Sequence, residues 1–342
     1  MRAFWNPVQS AHAPHFFLQR GRLRANFEVP ARADALLAAC RAMGLDVQAP
    51  PPLDRAVLEA VHAPDYLDFL RDGPALWAAL PDAGPEMVPN IHPAPEMLAN
   101  GARPGAGVIG RLGWYTADTS CPIAAETWPA AVAAAACAVA AADEAHAGRT
   151  AYALCRPPGH HAYPARAGGH CYLNNATLAA ERLRARGAGR VAVLDLDSHH
   201  GNGTQGVFWT RGDVLFVSVH GDPDEYYPWF VGRADERGAG PGEGYTLNLP
   251  LPRGTADGPW LQAVAAGVDA VRRFGADALV LSLGFDASEH EPLGFLRVSE
   301  DGFARAGEAV AALGLPAAVV QEGGYNVDAL GPLLRRTLAA FA

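Results

Sequence analysis

The stretch 190–205, RVAVLDLDSHHGNGTQ, runs from apolar alternation into acids and histidines. Val191, Val193 and Leu194 read as a buried strand bounded by a glycine-rich turn. Strand side chains alternate faces, so Asp195, Asp197 and His199 are expected on one side. Two carboxylates and an imidazole at the end of a hydrophobic strand resist desolvation unless a cation lies between them. A metal ion answers that need, and Gly201 and Gly203 let the chain turn and bring backbone close to whatever is bound. Asp286, ending another apolar run, is the natural third protein ligand. Three protein ligands with an open position make the catalytic kind of site, which acidifies a water and polarises a carbonyl. His160 and His161, after Pro157, Pro158 and Gly159, are candidate general bases and acids. Tyr325, presented by Gly323 and Gly324, can donate a hydrogen bond to a developing oxyanion. Together these groups describe metal-assisted hydrolysis of an amide: water attacks, a tetrahedral intermediate forms, and the amine leaves protonated.

The elements that must position these groups alternate along the chain. Strands are expected at 2–5, at 151–155, from 190 on through Asp195, Asp197 and His199, and at 214–220, 245–249, 278–283 and 317–321. Helices are expected at 31–43, 54–71, 126–146, from Asn174 or Asn175 to 186, and at 260–274, 303–313 and 328–341. Strands separated by helices imply an α/β fold with parallel pairing and helices on both faces of the sheet. Ligands of such sheets sit beyond the carboxyl ends of the strands. Four separate strands here deliver His160 and His161, Asp197 and His199, Asp286, and Tyr325 to that edge. From 74 to 119 the periodicity fails, and a functional loop or an interface is expected. The GAGVIG of 105–110 matches a dinucleotide fingerprint only in its letters, since no strand precedes it and no convincing helix follows.

Composition narrows the classes. All 27 basic residues are arginine, so a phosphate-binding, Schiff-base or general-base lysine is excluded. The net charge of −9 argues against nucleic acid and suits a cationic substrate. Five cysteines without a CxxC pair suggest neither a disulfide framework nor a cysteine-zinc site, and the reducing cytoplasm fits best. The amino terminus does not read as a signal peptide. The longest apolar run, 130–142, is shorter than a membrane span. A single domain over 1–342 is expected, with no linker visible.

The motifs RPPGHH, GGHCYLNN, DLDSHHGNGTQ, LSLGFDA and EGGYN, in this order and spacing, resemble the histone deacetylase superfamily. The resemblance covers nearly the whole chain and is most similar to the bacterial acetylpolyamine amidohydrolases, which carry a comparable insertion before the pair Thr127–Trp128. It implies a three-layer arginase/deacetylase-like fold with a central, mostly parallel sheet. It implies zinc, with iron(II) as the alternative, held by Asp197, His199 and Asp286, and a potassium ion engaging Asp195, Ser218 and backbone carbonyls of Asp197 and His199. His161 would be base and acid, with His160 its electrostatic partner oriented by Asp195. Arg32 matches an arginine lining an internal acetate-release channel. The substrate would be a small acetylated amine of the acetylputrescine and acetylcadaverine class, with an acetyl-lysine protein deacetylase as the alternative and a noncatalytic binding module as a third reading.

Several positions depart from the family pattern. His170, beside Gly169, stands where one wall of the acyl tunnel has phenylalanine, and Tyr227 replaces phenylalanine opposite. Both changes add hydrogen-bonding capacity. The partner of His161 is Asn202, where many relatives have aspartate, and Leu293 holds a rim position at which a polyamine-selective eukaryotic relative uses an acid. In the resembling amidohydrolases the insertion makes a homodimer whose paired loops restrict the entrance and offer acids to the distal ammonium. The matching acid here is Asp118. Other polar residues have plainer readings. His170 and His220 read as packed core histidines, Cys171 as a small buried hydrophobe, His12 and His15 as loop polarity, and Glu289, His290 and Glu291 as a solvated loop. Glu243 and 235–237 read as surface.

Overall fold

Alternation along the central strands sorts their side chains onto two covered faces. The computed structural model describes residues 1–341. In chain order the strands are β1 (Arg2–Phe4), β2 (Phe16–Gln19), β3 (Arg22–Ala25), β4 (Asp46–Gln48), β5 (Ala151–Ala153), β6 (Val191–Asp195), β7 (Val214–Gly221), β8 (Thr246–Leu251), β9 (Ala278–Leu283) and β10 (Ala317–Gln321). Eight of them form one sheet in the order β4-β1-β5-β10-β9-β6-β7-β8, and every neighbouring pair is parallel. Val191 and Val193 pack with Cys137, Ala141 and Leu183 of the helices Thr127–His146 and Asn175–Ala185. Ala192 and Leu194, on the opposite face, pack with Leu36, Trp260 and Leu330 of Pro30–Ala42, Asp257–Phe274 and Val327–Leu338. Burying both faces is why these strands read as continuous apolar runs.

Among the described residues, side-chain caps mark three of the eleven α-helix starts. The Asn174 side chain accepts from Thr177 N, Ser299 from Gly302 N and Asn326 from Ala329 N, so each caps the helix that follows. The expected helix over 54–71 is two, Arg55–Glu59 and Pro64–Ala78, because Pro64 opens a new helix where its missing N–H costs nothing. The closing helix ends at Leu338, followed by a short 3-10 turn over Ala339–Phe341. The hairpin β2–β3 and edge strand β4 were not anticipated. Every residue of β3 is exposed, and β4 has a single apolar residue, so neither has a buried face to read.

Three further expectations are corrected. The 74–119 region is not structureless: it contains the end of Pro64–Ala78 and the helices Pro95–Ala99 and Val108–Tyr115. Leu112 and Tyr115 pack with Phe69, Leu70 and Met87 in a separate apolar cluster. A helix therefore does follow GAGVIG, although a helix rather than a strand precedes it. Secondly, β6 ends at Asp195, so Asp197 and His199 lie in the loop beyond it and strand alternation does not align them. Thirdly, Gly203 begins no sharp turn but sits in the helix Asn202–Phe208, where a Cβ would overlap the Ala162 carbonyl.

Candidate active site

Register across the sheet aligns polar residues at its carboxyl edge. Asp195 pairs with Ser218 of β7 on one side and Ser282 of β9 on the other. Just beyond, the backbone organises the acids. Ser198 N donates to Asp286 Oδ1 at 2.8 Å, and Gly323 N donates to Asp197 Oδ2 at 2.8 Å. Gly323 is required by space, since a Cβ would overlap the carboxylates of Asp286 and Asp197. The other oxygens of both acids meet His199: Asp197 Oδ1 accepts its N at 2.9 Å and lies 3.1 Å from its Nδ1, and Asp286 Oδ2 lies 3.1 Å from the same Nδ1. The three ligand atoms lie within 4.8 Å of one another.

The electrostatics of this group call for a cation. Burial and the neighbouring Asp197 raise the Asp286 carboxyl above its ordinary range. Burial alone would lower the His199 imidazole, yet Asp286 and Asp197 raise it to about 9. Positive charge is thus favoured at the point between the two carboxylates, and an O,N,O donor set suits a divalent ion there. A second group, His160, Cys171 and Glu322, is also close enough to be considered. It fits poorly: Glu322 Oε2 already takes Gly159 N and His160 N, and burial keeps the Cys171 thiol protonated.

The two adjacent histidines have opposite character. His160 Nδ1 lies 2.9 Å from Asp195 Oδ2. Burial opposes its protonation, but Asp197 and Asp195 outweigh this and raise it to about 10. His161 is lowered well below the usual range, first by burial and then by His160 and His199. His161 Nδ1 donates to Asn202 Oδ1 at 2.7 Å, which leaves Nε2 as the acceptor of the neutral ring.

A cavity of about 510 Å³ opens onto these groups, lined by His161, His199 and Tyr325. Gly169, His170, Tyr227 and Leu293 also line it. Burial keeps the Tyr325 phenol protonated, with Arg32 opposing. His170 packs edge-on to Phe17 and has a buried Nδ1 without a partner, and burial lowers it to about 4, so the ring is neutral. The Tyr227 hydroxyl donates to Asp118 Oδ2 at 2.6 Å, so its added hydrogen-bonding capacity is spent away from the cavity. Asp118 also accepts from Gly169 N and Ser120 N and does not line the cavity of a single chain.

Arg32 lies buried behind Tyr325. It pairs with Glu28 at 2.7 Å, donates to the carbonyls of Glu322 and Gly324, and stacks over the Tyr325 ring at 4.9 Å. On the other side of Asp195, His220 Nε2 is 2.8 Å from the Gly232 carbonyl and must donate, so its Nδ1 accepts from Ser218 Oγ at 2.8 Å. His200 Nδ1 lies 3.4 Å from the same oxygen, a long contact that leaves the serine one further lone pair. His220 is the hydrogen-bonded core histidine expected.

Several residues were misjudged or missed. His12 is not ordinary loop polarity but buried, 3.2 Å from Thr127 Oγ1. Glu236 is half-buried and holds Gly232 N and Gln205 Nε2, unlike its exposed neighbours Asp235 and Arg237. Glu291 is buried rather than solvated and accepts from Tyr325 N at 2.9 Å. Tyr226, beside Tyr227, belongs to the site as well: its ring stacks on His199 with centroids 4.3 Å apart, and Phe295 stacks behind it at 4.4 Å. Only the Tyr-Tyr pair in the sequence hinted at it.

Comparison with known proteins matches a histone deacetylase domain over residues 26–341. An acetylpolyamine amidohydrolase of Burkholderia pseudomallei is 47% identical over 100% of this chain and 98% of its own. Acetylpolyamine amidohydrolase 1 of Pseudomonas aeruginosa is 43% identical over 94% of this chain and 93% of its own. The crystal structure of an acetylpolyamine aminohydrolase from Burkholderia pseudomallei superimposes with a TM-score of 0.95 at 46% identity, covering 100% of this chain and 98% of the other.

Proposed function

This chain belongs to the histone deacetylase family, and from that premise we propose that it is a zinc-dependent deacetylase of small acetylated amines, releasing amine and acetate. The observation that carries the reading is the convergence of Asp197, His199 and Asp286 within 4.8 Å, beside a cavity that neutral His161 and Tyr325 line. A divalent ion held there, zinc or iron(II), would supply Lewis acidity to an acyl carbonyl and to water. His161 Nε2 takes the proton of the attacking water and returns it to the leaving nitrogen. His160, held as imidazolium by Asp195 and Asp197, supplies positive charge beside the reacting centre. Tyr325 donates to the oxyanion, while Gly169, His170 and Tyr227 confine the methylene chain and Leu293 forms part of the rim.

The remaining lone pair of Ser218 beside Asp195, whose carboxyl burial raises above its ordinary range, suits a monovalent cation such as potassium. Arg32 behind Tyr325 supports an internal exit for acetate. The acetylpolyamine class is inherited from the relatives' names, and the acidic chain suits a cationic amine. Exposed Ile91, Met97, Leu98 and Ile109 on the 74–119 insertion support its use in pairing two copies.

Purified enzyme assayed on acetylputrescine, acetylcadaverine, acetylspermidine and acetyl-lysine peptides should give the highest kcat/KM on an acetylated diamine. Fastest cleavage of the peptides replaces this reading with a protein deacetylase, and no turnover of any of them leaves the noncatalytic reading.

A further inference from the structure

Tyr325 stands at the end of a segment with little stiffness of its own. Residues 322–326 lie between β10 and the helix Val327–Leu338, and Gly324 has φ of +113°, a region that side-chain-bearing residues avoid. Neighbouring groups hold the segment upstream of the tyrosine: Asp197 Oδ2 takes Gly323 N, Phe285 N donates to the Gly323 carbonyl, and Arg32 donates to the carbonyls of Glu322 and Gly324. The tyrosine's own N–H has one partner, Glu291 Oε2 at 2.9 Å. One residue on, Asn326 Nδ2 donates to the His290 carbonyl at 2.7 Å.

Glu291 is an expensive way to satisfy one amide. It is only 8% exposed, its Oε1 is buried without a partner, and burial together with Asp286 pushes its carboxyl up to about 7. A solvated loop would leave such an acid in water and the amide to a water molecule. The Glu291 loop is itself well anchored, with Glu291 N donating to the Ser288 carbonyl and Gly294 N to the Glu291 carbonyl. The same loop presents Pro292, Leu293 and Gly294 to the cavity rim.

We propose that Glu291 is a positioning residue: it clamps the Tyr325 backbone to the rim loop and so fixes where the phenol meets the acyl oxygen. The inference rests on the reading of Tyr325 as the oxyanion donor. The clamp acts on the reacting geometry and not on the mouth, so its loss lowers kcat and leaves KM in place. Glutamine keeps an acceptor oxygen and matches the neutral form of the acid, so it should rescue.

The test is a double-mutant cycle on the metal-loaded enzyme with acetylputrescine. Glu291→Leu, which fills the same space without an acceptor, should lower kcat about tenfold with KM within about twofold, and Glu291→Gln should keep most of the activity. In the Tyr325→Phe background, Glu291→Leu should cost no more than about twofold. A full tenfold loss in that background, or a Glu291→Gln variant as poor as Glu291→Leu, overturns the clamp. Should Glu291→Leu not fold, Glu291→Gln and Glu291→Ala are read in the same cycle by the same criteria. Full activity of Tyr325→Phe alone would instead remove the role of Tyr325, a separate failure.

Discussion

Replacing Asn202 by aspartate tests the assignment of His161 as the base with almost no change in shape. Asn202 Oδ1 accepts the His161 Nδ1 proton at 2.7 Å, and both side chains are buried. An aspartate keeps that hydrogen bond and the ring tautomer but adds a negative charge. Two opposite unit charges about 4 Å apart gain ~4 kcal/mol at an effective dielectric near 20. At about 1.4 kcal/mol per pKa unit this is roughly three units. Desolvating the new carboxylate takes back part of the gain, so a net rise of about one to two units is expected.

The direction follows from the role. A base works unprotonated, and the carboxylate stabilises the imidazolium, so His161 regains its proton at a higher pH than in the parent enzyme. The acidic limb of kcat/KM for acetylputrescine should therefore move to higher pH by about one to two units. Profiles of the parent and Asn202→Asp enzymes, with metal content measured in parallel, decide the matter. A limb that stays in place, or moves to lower pH, with metal retained means that the titrating base is another group.

Two further outcomes are expected. Asp286→Ala removes one of three ligand atoms and leaves Asp197 and His199 to hold the ion, so bound metal after dialysis and deacetylation should fall together by more than about a hundredfold; activity in a metal-free preparation refutes the site. Asp118→Asn keeps an oxygen for the Tyr227 hydroxyl while removing the charge, so KM for acetylputrescine should rise about five- to tenfold with an uncharged acetylated alkylamine spared; equal loss on both substrates makes Asp118 a support of the tunnel wall alone.

What the sequence made legible follows a physical rule. The parallel strands are visible because both faces are buried, so 191–195, 278–283 and 317–321 are apolar but for Asp195, Ser282 and Gln321 near their carboxyl ends. Polar residues interrupting such runs stood out for the same reason, and Asp197, His199, Asp286 and Tyr325 could be singled out without coordinates. Elements whose stability comes from elsewhere left no such mark. The hairpin β2–β3 is exposed along its second strand, the insertion's helix Val108–Tyr115 forms its apolar contacts with Phe69, Leu70 and Met87 rather than with the sheet, and Pro95–Ala99 buries no residue.

The deeper layer of the site was hidden for a different reason. Asp118, Glu291 and Glu322 act largely on backbone amides: Gly169 N, Tyr325 N, and Gly159 N with His160 N. Any residue but proline offers such an amide, so no residue type in the sequence announces the partner. Glu291 and Tyr325 are 34 positions apart and neither motif predicts the other. An acid near a catalytic mouth is therefore ambiguous in sequence, since it can face substrate or hold the chain that does. The sequence assigns Asp118 to the substrate and Glu291 to solvent; Asp118 is half-buried and bonded to Tyr227, whereas Glu291 is enclosed and holds the tyrosine. Burial separates the two cases, because an acid that must meet an arriving ammonium needs an open face, whereas one that positions backbone gains from being enclosed.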